Sequence, residues 1–77
     1  MIKVLVVDDS LLVRKALARA LSTDSDIEVV GTAVDPYDAR EKIKLLNPDV
    51  LTLDVFMPRM DGIETLRHIR KDSMVPV

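Results

Sequence analysis

The chain contains no cysteine, so disulfides, thiolate zinc sites and a cysteine nucleophile are all excluded. It has no basic excess: 11 Lys and Arg stand against 13 Asp and Glu, for a net charge of −2. No overall positive field therefore points to nucleic acid or to an anionic membrane. No apolar run approaches the roughly 20 residues needed to cross a bilayer. The start, Met1-Ile2-Lys3, runs straight into a strand-like segment and lacks a signal-peptide layout. There is no internal repeat, linker or low-complexity segment. There is also no nucleophile elbow and no candidate His–Ser pair, so these residues carry no hydrolase constellation. The expectation is a soluble, cytoplasmic protein.

What is present is globular. The hydrophobic fraction is 48%, well above that of disordered chains. A length of 77 residues allows one small domain at most, with a core of marginal size. Ile2–Val7 is continuously apolar apart from Lys3, as expected of a strand buried on both faces of a parallel sheet. Ser10 can cap a following helix. In that helix Val13, Ala16, Leu17, Ala20 and Leu21 form one stripe, with Arg14, Lys15 and Arg19 opposite. A polar cluster, Ser22 to Asp26, makes a turn.

Ile27–Ala33 reads as a second strand. Glu28 interrupts its apolar run, which suits an edge position. Asp35-Pro36 supplies a cap followed by proline at the first helical position. Ala39, Ile43 and Leu46 give that helix its core face, and Asn47-Pro48-Asp49 stops it. A third strand runs from Val50 to Asp54. Asp61-Gly62-Ile63-Glu64 has the form of a capping box, and Ile63, Leu66 and Ile69 or Arg70 set the face of a third helix. Val75-Pro76-Val77 looks like the start of a fourth strand. Tyr37 is expected at the surface, partly buried, and His68, off the helix stripe, in solvent. Strand–helix alternation at this spacing implies right-handed βαβ units and a parallel sheet.

The first strand runs into Asp8-Asp9 and the third ends at Asp54. In open α/β sheets ligands bind beyond the carboxyl ends of the strands, where strand order reverses. Parallel neighbours would bring Asp8, Asp9 and Asp54 to one edge. Crowded carboxylates repel one another, the more so when buried. Hard oxygen donors at such a mouth suit Mg²⁺. An Asp after a strand is ordinarily a helix cap, and Asp9 before Ser10 can be read as no more than that. Met57-Pro58 and Asp61-Gly62, added to the two strand-end acids, favour a site.

These residues resemble the receiver domains of two-component response regulators. The resemblance lies in Val4-Leu5-Val6-Val7-Asp8-Asp9-Ser10, Asp49-Val50-Leu51-Thr52-Leu53-Asp54 and Met57-Pro58-Arg59-Met60-Asp61-Gly62, and it covers the whole chain. Within receivers, Asp35-Pro36 and the stretch from Asn47 to Val55 look most like the N-terminal domain of the chemotaxis protein-glutamate methylesterases. The resemblance implies a doubly wound, flavodoxin-like parallel sheet with strand order 2-1-3, the start of a fourth strand, and helices on both faces. It implies that Asp54 accepts a phosphoryl group from a sensor histidine kinase. Asp8, Asp9, Asp54 and the backbone carbonyl of Phe56 would hold Mg²⁺. The switched output would be a methylesterase domain, which these residues do not contain.

Two departures matter. Receivers carry a Ser or Thr at the end of the fourth strand and a Lys after the fifth, and neither falls within these 77 residues. The expectation is the N-terminal part of a single receiver, whose uncovered sheet edge favours a homo-oligomer. A different class stays open: a non-catalytic half-domain that folds or functions only by association. The second departure is Phe56, where the methylesterases tend to have Glu. The backbone ligand survives that change, but the side chain at the mouth does not.

Overall fold

The computed structural model describes residues 1–53, 56–57, 60–71 and 73–77, with the backbone alone at 56–57 and 60–62. The elements in chain order are β1 (Ile2–Val7), α1 (Leu11–Leu21), β2 (Ile27–Ala33), α2 (Pro36–Leu46), β3 (Val50–Leu53), β4 (Phe56–Met57), β5 (Met60–Asp61) and α3 (Gly62–Ile69). The first three strands form a parallel sheet of order β2-β1-β3. The remaining two make a small antiparallel hairpin, Phe56 opposite Asp61 and Met57 opposite Met60.

β1 is central, and its apolar run pays off in burial: Val4, Leu5, Val6 and Val7 are all at most 4% exposed. Side chains alternate across a strand. Leu5 and Val7 join Ala33, Leu51, Ala39 of α2 and Ile69 of α3 in one cluster, with Ile43, Leu46 and Val75 packed against it. Val4 and Val6 take the opposite face, the side of α1. β2 lies at the sheet edge with Glu28 exposed, as its interrupted pattern predicts.

The β1–β2 register slips between Val4, opposite Val29, and Leu5, opposite Gly31. Val30 is the extra residue of a bulge, beside Gly31. A Cβ at Gly31 would lie 2.8 Å from Cδ1 of Leu46, so the bare backbone lets α2 approach the strand.

The helix starts are where local chemistry places them. Ser10 Oγ accepts from the Val13 amide at 3.3 Å. Asp35 Oδ1 accepts from the Asp38 amide at 2.7 Å, with Pro36 first in the helix. Asn47 ends α2 in the left-handed region at φ 48°.

Two helix faces differ from the sequence reading. In α1 the half-buried residues are Arg14, Leu17, Ala18 and Leu21, while Val13, Ala16 and Ala20 are exposed. The true stripe is rotated by one position. Arg14 was placed outside because of its charge, but its stem packs inward and its head reaches a carbonyl. In α3 the expected Ile69 is buried and Leu66 half-buried, but Thr65 is buried as well and Ile63 is 49% exposed. Residues 73–77 carry no strand, yet the Leu51 amide donates to the Pro76 carbonyl at 2.8 Å, so the tail lies along β3. Among the described residues no helix is long and apolar enough to cross a membrane.

Candidate functional site

The parallel register sets Val7 opposite Leu53, so β1 and β3 end at the same level. Asp8 follows directly and is 4% exposed. It is held at three points. Its amide donates to the Ala33 carbonyl at 3.0 Å. Its own carbonyl accepts from Arg14 Nη1 at 2.8 Å. Its Oδ1 accepts from the Ser10 amide at 2.9 Å. Among the described residues Oδ2 takes no hydrogen bond, so one oxygen of a fixed carboxylate is left for a ligand.

Asp9 follows and is half-buried. Asp54 lies outside the described residues, as do the side chain of Phe56 and the stretch Pro58-Arg59. The Phe56 backbone opens β4. Among the described residues no cluster of three or more potential metal ligands forms. The two described acids are adjacent in sequence, and the third strand-end acid is Asp54.

A cleft of about 340 Å³ opens beside Asp8, lined by Val7, Val13, Leu17, Thr52 and Leu53. Thr52 Oγ1 is buried there without a hydrogen-bond partner among the described residues. Carboxylate oxygens and carbonyls are hard donors, and a half-fixed acid with a spare oxygen fits Mg²⁺ better than a softer ion.

Sequence reasoning missed Arg14. Its position six residues past Asp8, in the first turns of a capped helix, was the available signal. His68, expected in solvent, is half-buried. Its Nε2 accepts from Arg40 Nη1 at 3.1 Å, and its ring meets Tyr37 edge-on at 4.6 Å between centroids. This cluster ties α2 to α3, and Tyr37 is otherwise exposed.

Residues 4–77 match the family described as the response regulator receiver domain. The protein-glutamate methylesterase/protein-glutamine glutaminase of Hydrogenovibrio crunogenus is 63% identical over 76 residues, covering 99% of this chain and 20% of that protein. The chain thus spans about a fifth of the length of the curated relatives it matches. The response regulator domain of Thermotoga maritima CheB superposes with a TM-score of 0.83 at 45% identity, over 95% of this chain and 55% of that one. CheY in the CheX-CheY-BeF3-Mg²⁺ complex of Borrelia burgdorferi matches with a TM-score of 0.76 at 38% identity, over 91% and 53%.

Proposed function

The chain belongs to the response regulator receiver family, and from that premise we propose that it accepts a phosphoryl group on Asp54 from a sensor histidine kinase. Residues 1–77 are then the N-terminal part of one receiver domain in a cytoplasmic chemotaxis protein. The switched output is a protein-glutamate methylesterase domain, the activity named for the relative that is 63% identical. The domain itself touches neither nucleic acid nor membrane.

The observation that carries this reading is Asp8. A nearly buried carboxylate stands at the end of the central strand, pinned through one oxygen by Ser10 and, among the described residues, without a hydrogen bond at the other. Asp8, Asp9, Asp54 and the Phe56 carbonyl would hold the cation. Mg²⁺, when bound, supplies positive charge that neutralises phosphoryl oxygens and aligns the donor. The Asp54 carboxylate is the nucleophile, attacking phosphorus and releasing the donor's leaving group. Support comes from the related CheY, whose complex carries Mg²⁺ with a beryllium fluoride group.

The test is Mg²⁺ titration by calorimetry, followed by acetyl phosphate labelling read by peptide mass. Asp54→Asn and Asp9→Ala should each weaken Mg²⁺ binding. Labelling should fall on Asp54 and be slow, because positioned charge on the phosphoryl oxygens is a large catalytic term and this sequence lacks the family's Lys and Ser or Thr. Unchanged affinity in both variants, or equal labelling of Asp54→Asn, would remove the site.

A second reading has its own support. Leu11, Leu12 and Val13 are consecutive at the start of α1 and are all at least 45% exposed. Apolar surface of this kind marks association sites. On this reading the 77-residue chain pairs with a second copy of itself.

A further inference from the structure

β2 is an edge strand, so β1 alone holds it within the sheet. Its last residues nevertheless matter to the acid site, since the Ala33 carbonyl receives the Asp8 amide. Both neighbours of Ala33 are gripped from α2. Lys42 Nζ donates to the Thr32 carbonyl. The Val34 amide donates to Asp38 Oδ2 at 3.1 Å. Lys42 Nζ and that same Asp38 oxygen lie 3.4 Å apart.

The geometry points to Lys42 and Asp38 as positioning residues of the acid site: a clasp on α2 that sets the end of β2 and, through the Ala33 carbonyl, the backbone of Asp8. An ordinary pair at i and i+4 on a helix surface contributes little. This pair differs because each member also bonds backbone outside its own helix, Thr32 in β2 and Val34 just past it. The ammonium spends two of its three donors on fixed acceptors. Hydrogen bonds with an ionised partner are shorter and stronger than neutral ones. Asp38 is itself fixed, since its amide donates to the helix cap Asp35. The relay therefore runs from a capped helix turn, through two side chains, to three consecutive residues at the end of β2 and just past it, and ends at the residue whose carboxylate Ser10 pins.

The Mg²⁺ arm of the test rests on the receiver reading above, whereas the exchange arm does not. Amide hydrogen exchange is followed by NMR in the 77-residue chain, its Lys42→Met, Lys42→Arg and Asp38→Asn variants, and Mg²⁺ is titrated into each. Lys42→Met should speed exchange at the Asp8 amide and weaken Mg²⁺ binding, each about three- to ten-fold, the scale of one or two hydrogen bonds. Exchange at the Leu5 amide should stay unchanged. Lys42→Arg, which keeps a cationic donor, should restore most of both effects. Should Lys42→Met fail to fold, Asp38→Asn carries the same comparison, because it keeps an acceptor for Val34 and loses the charge opposite Lys42. Wild-type exchange at Asp8 in every variant overturns the proposal. So does an equal acceleration at Leu5, which would show general loosening. If the wild-type chain binds no Mg²⁺, the metal reading fails, and the exchange at Asp8 alone decides the clasp.

Discussion

Ser10 performs two tasks with two different groups. Its hydroxyl caps α1, and its amide holds Asp8 Oδ1. The two are separable by substitution. Ser10→Ala removes the hydroxyl and keeps the amide. Loss of a cap costs about 1 kcal/mol, so the urea midpoint should fall while Mg²⁺ affinity stays at the wild-type value. Calorimetric titration beside urea unfolding checks both halves, and a drop in affinity matching the loss of Asp9 would show that the hydroxyl itself serves the site. At the same scale Arg14 shows how a charged residue enters a packed face. Its guanidinium satisfies the Asp8 carbonyl at the level where β2 has already ended.

Among the elements, α2 has the most complete local code. It has an Asp cap, proline first, Ala39, Ile43 and Leu46 inward, and a left-handed Asn47 at its end. That last conformation is unfavourable for residues with a Cβ, least so for Asn. Asn47→Ala should lower stability by about 1 kcal/mol, and Asn47→Gly should be neutral or slightly stabilising, as expected where glycine is the usual terminator. Urea midpoints with unchanged slopes test this. A stable Asn47→Ala variant would mean the helix can end elsewhere. The helices α1 and α3 behaved differently. Each carries two overlapping sets of residues at helical spacing, so periodicity alone leaves the rotation of the helix open by one step. In α3 the choice fell on Thr65 and Ile69, a polar residue in place of the apolar Ile63.

At the scale of the molecule, this chain covers 55% of a solved CheB receiver domain. Its third strand has β1 on one side and, on the other, a hydrogen bond from Leu51 to Pro76 in a tail without strand structure. An apolar strand edge so lightly paired among the described residues is a template for another chain. Small size presses the same way, because association is one route by which a short chain completes its core. The expected state at micromolar concentration is a two-fold dimer. Sedimentation equilibrium reads the mass directly. A monomer whose unfolding is cooperative and independent of concentration contradicts it.

The sequence by itself determined the sheet and the place of Asp8 and Asp9 at its carboxyl edge. Continuous apolar runs place strands inside, an interrupted run places β2 at the rim, and caps and proline open the first two helices. These are local signals, set by backbone geometry and short-range hydrogen bonds. The family, too, was legible in the segments around Asp8, Asp9 and Asp54. Only the tertiary structure decided the rotation of α1 and α3, the bulge at Val30, and the roles of Arg14, Lys42 and Asp38. These depend on which residue from a distant element happens to meet a given face or carbonyl. Lys42 reaches Thr32 across ten positions and Arg40 reaches His68 across 28. No periodicity within one segment encodes such meetings, because they follow from how the helices settle on the finished sheet.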